Sequence, residues 1–142
     1  MPVRRASAVW TGKLKDGSGT MALGSGAYEG KYSFGSRFEE NPGTNPEELI
    51  GAAHAGCFSM AFAAALGEAG FNPKRVSTNA RVHLGKDDVG FKITKIELTT
   101  EAEVPEISEA DFQKFAKAAK EGCPISRSLA VPEIVLTAKL IS

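Results

Sequence analysis

Thr44-Asn45-Pro46-Glu47-Glu48-Leu49-Ile50-Gly51-Ala52-Ala53-His54-Ala55-Gly56-Cys57-Phe58-Ser59-Met60-Ala61-Phe62-Ala63-Ala64-Ala65-Leu66-Gly67-Glu68-Ala69-Gly70-Phe71 decides the fold. It reads as one long helix. Asn45 is a capping residue, and Pro46 suits a first helical turn, where its missing N–H would have no partner anyway. Glu47 and Glu48 favour the positive end of the helix dipole, and Glu48 stands three after Asn45, as in a capping box. Gly70 is placed to end the helix, and Asn72-Pro73 forbids its continuation. From Ile50 to Leu66 nearly every residue is apolar or small. A helix apolar all round is buried on all sides rather than laid on a surface. Cys57 sits in its middle.

The elements on either side follow from turn chemistry and alternation. Val3 to Thr11 is a weak strand, closed by the turn Lys15-Asp16-Gly17-Ser18-Gly19. Thr20 to Leu23 and Tyr28 to Phe34 are two further strands of an N-terminal meander, separated at Gly24-Ser25-Gly26. Beyond the helix, Val76, Thr78, Ala80, Val82 and Leu84 share one strand face. Gly85 to Gly90 makes a hairpin connection. Phe91 to Val104 alternates as a long strand with a break in phase that the pattern does not locate. Ser108 caps a second helix with Asp111 in its first turn and Phe112, Phe115, Ala116 and Ala119 on its apolar face. Gly122 ends or kinks it. Cys123 to Leu129 is a separate helical turn, because Pro124 is tolerated only in a first turn. Glu133 to Ile141 is a terminal strand. The class is α+β in a single domain spanning 1–142. The long helix is too hydrophobic for one small domain to cover, so a homodimer with an extensive apolar interface is expected.

Composition narrows the function. The 142 residues are 42% hydrophobic and 24% charged, an ordinary globular balance. Seventeen basic side chains offset seventeen acidic ones, so no electrostatic footprint for nucleic acid or an anionic membrane is present. Met1-Pro2-Val3-Arg4-Arg5-Ala6 has no apolar signal core, and the apolar centre of the long helix is too short and glycine-rich for a comfortable bilayer span. A cytoplasmic protein is expected. No nucleotide-binding glycine pattern occurs, so no nucleotide cofactor is implied.

Two cysteines 66 positions apart fit no disulfide framework. In a reducing compartment they are free thiols or a redox couple. Helical spacing surrounds Cys57 with Ile50, Ala53, His54, Met60, Ala61 and Ala64. Such a wall raises a thiol pKa and leaves the thiol inert unless a cation is supplied. The helix dipole cannot supply it three turns from the N-terminus. Packing as a small hydrophobe is the plain alternative. Cys123 stands at the Gly122–Pro124 break, where a side chain can be aimed or can simply fill a turn. His54, one turn before Cys57, is either a core histidine or half of a Cys–His pair. With His83 far along the chain, the four possible ligands lack zinc-site spacing. Glu47 and Glu48 are explained by helix-start electrostatics.

The segment Thr44 to Ser59 closely resembles the OsmC/Ohr family of osmotically induced protein C and the organic hydroperoxide resistance proteins, and within it the OsmC branch. Ala119-Lys120-Glu121-Gly122-Cys123-Pro124-Ile125-Ser126 resembles the same family, and Phe34-Gly35-Ser36-Arg37-Phe38 resembles its arginine loop. The pairing of the Asn-Pro-Glu…Cys segment with a distant Cys-Pro is specific, and the element order extends the likeness over nearly the whole chain. The resemblance implies an intertwined homodimer of antiparallel sheets around long central helices. It implies a thiol-dependent peroxidase without metal or prosthetic group, acting on organic hydroperoxides and re-reduced by an external thiol. It implies Cys57 as peroxidatic cysteine and Cys123 as its resolving partner through an intramolecular disulfide. Arg37 would activate the thiolate and Glu47 would orient Arg37. Since Glu47 and Cys57 lie ten residues apart, about 15 Å along a helix, either the helix breaks or a second subunit completes the site. A non-catalytic stress-related binding protein with buried cysteines and a Cys/His-dependent hydrolase using His54 are the rival readings.

Overall fold

A computed structural model describes residues 1–141. The chain forms two compact units, Met1–Leu49 and Ile50–Ser142, whose boundary falls in the first turn of the long helix.

In the first unit, strands β1 (Ala6–Thr11), β2 (Ser18–Leu23) and β3 (Glu29–Tyr32) make the expected antiparallel meander. Trp10 and Tyr32 stack across it with ring centroids 5.3 Å apart. One expectation fails here. The third strand does not run on to Phe34, because a short helix α1 (Phe34–Phe38) follows directly. Ser33 and Ser36 cap it reciprocally: Ser36 N donates to Ser33 Oγ at 3.1 Å, and Ser33 N donates to Ser36 Oγ at 2.8 Å. Local side-chain bonds of this kind outcompete a strand ladder. The arginine loop is therefore helical, with Arg37 in its last turn.

Helix α2 (Pro46–Glu68) carries 23 residues without a break at Gly51 or Gly56. Glu48 N donates to Asn45 Oδ1 at 2.7 Å, so Asn45 is the cap. The box is not closed, since the Glu48 carboxylate accepts from Thr44 Oγ1 instead. At the other end Gly70 has φ +91°, Phe71 N donates to Leu66 O, and Gly70 N donates to Gly67 O. These two bonds are the Schellman pattern, and the left-handed residue is the expected glycine.

The second unit holds the main core. Strands β4 (Arg75–Lys86), β5 (Phe91–Glu103) and β6 (Glu133–Ile141) form one sheet. Helix α3 (Glu109–Gly122) and the short α4 (Pro124–Ser128) lie between β5 and β6. β4 and β5 are antiparallel, but β6 runs parallel to β5. The expectation of purely antiparallel sheets is corrected, because the α3–α4 crossover returns the chain to the starting end of β5 and parallel pairing needs such a crossover. The break in phase lies at Thr94. Leu84 pairs with Ile93 and His83 with Lys95, so Thr94 is the extra residue of a bulge. Ile96, Leu98, Thr100 and Ala102 beyond it are buried on one face.

Phe58, Phe62 and Leu66, one turn apart on α2, are fully buried in this core with Phe112 and Ala116 of α3. Each large side chain contributes about 1.5–3 kcal/mol by leaving water. Gly51 lets α2 approach β4, where an added Cβ would meet Val82 Cγ2 at 3.2 Å. Hydroxyls set the helix on the sheet: Ser59 bonds Thr78 at 2.7 Å, and Thr78 bonds the buried Thr100 at 3.0 Å.

The opposite face of α2 is open, with Ala52, Ala53, Gly56, Ala64 and Gly67 exposed and Met60 at 77% exposure. The helix is thus not buried all round within one chain. By length and composition alone it would cross a membrane, contrary to the expectation that its centre is too short. Its packed face and the buried His54 make it a core helix.

Gly70→Ala should lower stability by roughly 1–2 kcal/mol, the cost of a left-handed Cβ. Gly67→Ala, in the last helical turn with open space about its Cα, should instead be neutral or stabilise by up to about 1 kcal/mol. Urea unfolding of both variants beside the parent checks the opposite signs.

Candidate active site

Two thiols meet in the second unit. Cys57 is held at mid-helix in α2 and is partly exposed; Cys123 is fully buried at the junction of α3 and α4. Cys123 ends α3, donating its N–H to Ala119 O, and its φ −57°, ψ 126° turns the backbone out of the helix. Pro124 then starts α4 at the position where it lacks nothing. This break aims the Cys123 side chain at α2. Its sulfur lies 2.8 Å from Cys57 Sγ, both thiols being free.

The pair is electrostatically unequal. Burial pushes the Cys57 thiol above its ordinary pKa, and the hydrogen bond and charge of Cys123 push the same way, against the Ile125 amide alone. Burial also raises Cys123. There the hydrogen bond from Cys57, the amide and hydroxyl of Ser126 and the Ile125 amide outweigh it, so that thiol falls below its ordinary value. Among these groups, negative charge rests more easily on Cys123. The accessible sulfur is Cys57. A nucleophilic Cys57 therefore needs a cation that this cluster does not contain, as its apolar wall suggests.

The first unit holds a matching cation. Arg37 Nε donates to Glu47 Oε1 at 2.9 Å and its Nη2 to Glu47 Oε2 at 3.1 Å, a two-bond fork that fixes the guanidinium plane. Glu47 is nearly buried in the first turn of α2, where the helix dipole also favours its charge. Ser36 Oγ donates to Thr44 O at 2.7 Å, and Asn45 Nδ2 donates to Ser36 O at 3.1 Å, tying α1 to the start of α2. The four residues singled out from the sequence thus form two pairs, Cys57 with Cys123 and Arg37 with Glu47. A cleft of about 430 Å³ beside Arg37 is walled by Trp10, Leu14, Tyr32, Phe34 and Phe38.

His54 is fully buried, and its Nε2 lies 2.6 Å from Ser126 Oγ. Its Nδ1 has no hydrogen-bond partner. The histidine is therefore engaged by Ser126 rather than by Cys57 and is only half satisfied. Ser126 is the residue that sequence reasoning passed over. The signal was the matched spacing of His54 to Cys57 and of Cys123 to Ser126, three positions in each case. No cluster of three metal-ligating side chains occurs among the described residues.

Comparison with known proteins defines the class. A family model described as OsmC-like protein matches residues 39–139, and the chain belongs to this family. It is 49% identical to Peroxiredoxin OsmC of Escherichia coli over 140 residues, which cover 98% of this chain and 97% of that protein. It is 32% identical over 88 residues to organic hydroperoxide resistance protein-like 2 of Staphylococcus epidermidis, covering 60% of this chain and 59% of that one. Among solved structures, the OsmC-like protein of Mycoplasma pneumoniae matches with a TM-score of 0.78 at 16% identity, covering 99% of both chains, a likeness of fold. The whole-length likeness to a peroxiredoxin makes this protein a cysteine-based peroxidase.

Burial lowers the His54 pKa below its ordinary value. The unfolded chain then binds the proton more readily, so the stability tied to neutral His54 is present above the ordinary histidine pKa and is lost as pH falls below it. Urea unfolding at pH 7.5 and 5.5 should show a larger acid loss for the parent than for His54→Gln. Equal losses would place the acid sensitivity elsewhere.

Proposed function

We propose that the protein reduces organic hydroperoxides, and hydrogen peroxide less well, to alcohols through a Cys57 sulfenic acid that Cys123 resolves as an intramolecular disulfide. The 2.8 Å contact between an accessible and a buried sulfur carries this reading. A thiolate at Cys57 attacks the terminal peroxide oxygen; the O–O bond breaks, the alcohol leaves, and a sulfenic acid remains. Cys123 condenses with it before a second peroxide can. An external thiol or dithiol then reduces the disulfide by exchange. No metal or prosthetic group is required for any of these steps.

Arg37, held flat by Glu47, is the cation that lowers the Cys57 pKa. Arginine suits the task because it stays charged and presents paired donors to carboxylate and thiolate together. The unbroken α2 removes one of the two ways to join Glu47 and Cys57. We therefore assign Arg37 and Glu47 to the Cys57 of a second chain, in a homodimer that covers the open face of α2 with its Met60 and small residues. The two compact units act together as one OsmC-like domain, in the cytoplasm. Aromatic walls beside Arg37 favour a substrate with an apolar tail, and each methylene buried contributes about 0.8 kcal/mol.

A reading without catalysis leaves a bidentate Arg37–Glu47 pair and a sulfur contact unused. A hydrolase would need His54 on Cys57, whereas His54 faces Ser126.

Cys57→Ser should abolish reduction of cumene hydroperoxide. Cys123→Ser should consume about one equivalent per subunit and stall as sulfenic acid, passing to higher oxides in excess peroxide. Single-turnover consumption followed by intact mass separates the roles, and the opposite pattern would exchange them. Arg37→Ala should raise the pH at which Cys57 reacts with iodoacetamide and slow peroxide reduction by at least about 100-fold, the scale of losing one pre-organised charge. Arg37→Lys should recover only part. An unchanged titration in Arg37→Ala would remove Arg37 from the mechanism.

A further inference from the structure

Resolution has a proton problem. In the step Cys57–SOH + HS–Cys123 → Cys57–S–S–Cys123 + H2O, a sulfur–sulfur bond forms and the Cys57 S–O bond breaks. The Cys123 sulfur is oxidised and the Cys57 sulfur reduced. The Cys123 thiol must lose its proton as it attacks, and the departing hydroxide must gain one. Cys123 is fully buried, so bulk water cannot take that proton directly.

The structure places an acceptor behind the buried sulfur. The Ser126 hydroxyl bonds the Cys123 sulfur on one side and His54 Nε2, at 2.6 Å, on the other. His54 and Cys57 are one turn apart on α2, while Cys123 and Ser126 are three positions apart across the α3–α4 junction. The two elements are thus joined by two parallel contacts, sulfur to sulfur and imidazole to hydroxyl. His54 is an expensive residue to keep fully buried when its Nδ1 finds no partner. An apolar residue of similar volume would pack the helix as well. Its retention here is explained if the imidazole has work to do at Ser126. Burial also holds it neutral, the form that accepts a proton.

We propose that Ser126 and His54 form a proton relay for disulfide formation, in which Ser126 Oγ takes the Cys123 thiol proton and passes its own to His54 Nε2. The imidazolium then returns a proton as hydroxide leaves Cys57, so the step is balanced without any further reactant. Ser126 touches the reacting sulfur; His54 acts through it and is a positioning residue. The relay rests on the peroxidase reading above, and it concerns the second step alone.

The test follows the two steps separately in the full-length protein with cumene hydroperoxide. Peroxide consumption reports the first step. Rapid quench with dimedone and intact mass reports how long the Cys57 sulfenic acid survives. In Ser126→Ala the first equivalent should be consumed within about threefold of the parent rate. Disulfide formation should slow by about 100-fold, the usual scale of positioned acid–base help, with a dimedone adduct absent from the parent. His54→Gln keeps a hydrogen bond to Ser126 but cannot carry the proton, and it should show the same slow second step with a normal circular dichroism spectrum. Ser126→Thr, which restores the hydroxyl, should recover most of the rate. Parent-like disulfide formation in both Ser126→Ala and His54→Gln would overturn the relay while leaving the peroxidase intact. Rescue by His54→Gln but not by Ser126→Thr would show a packing role and overturn it too. No peroxide consumption in the parent would sink the peroxidase reading and the relay together.

Discussion

Everything in the second unit serves to hold two sulfurs from distant parts of the chain in contact. Cys57 and Cys123 are 66 residues apart and 2.8 Å from each other. That proximity needs α2 fixed in rotation and height, and α3 fixed in length. Phe58, Phe62 and Leu66 give α2 its rotation by turning one stripe into the core. The chain of hydroxyls Ser59, Thr78 and Thr100 sets its height, because hydroxyl bonds fail over displacements that apolar packing would tolerate. Gly51 brings the helix close to β4. On the other side, Phe112 and Ala116 seat α3, and Pro124 enforces the break that presents Cys123.

Electrostatics then divide the labour between the thiols. The residues that raise Cys57 and lower Cys123 all lie in the same cluster. Left alone, the cluster would put the thiolate on the buried sulfur, where peroxide cannot reach. That arrangement is useless for the first step and well suited to the second, in which Cys123 is the attacking group. The accessible Cys57 is held back until a cation is brought to it. Separating the cation from the cysteine cluster makes the first step conditional on assembly, since the fork of Arg37 and Glu47 is complete in itself but has no sulfur in it.

Much of this was legible in the sequence, and the failures have physical causes. The cap at Asn45, the glycine end at Gly70 and the break at Pro124 are local effects of single residues, so their reading transfers directly to the structure. The strand from Glu133 and the helix from Ser108 were equally plain. The bulge could be sensed but not located, because Thr94 is compatible with either face and only its pairing with β4 decides. The direction of β6 was misread, since antiparallel and parallel strands share one alternation pattern. Helix α1 was hidden because its two serines, read singly, look like loop residues. Ser126 escaped for a related reason: a hydroxyl acquires meaning only from what lies across from it, and His54 stands 72 positions away.

The open face of α2 connects the chemistry to the fold. A helix with Phe58 and Phe62 inward and Ala53, Gly56, Met60 and Ala64 outward offers close approach on one side and secure packing on the other. Cys57 sits between these faces, partly exposed. A residue on the inward stripe would be unreachable; one on the outward stripe could not touch Cys123. Only the boundary between the stripes allows a sulfur to meet peroxide from one side and its resolving partner from the other. Covering the outward face with apolar side chains would also exclude water from the thiolate, which strengthens any ion pair made to it. The apolar helix that seemed hostile to a charged nucleophile is thus the condition under which one cation suffices to activate it.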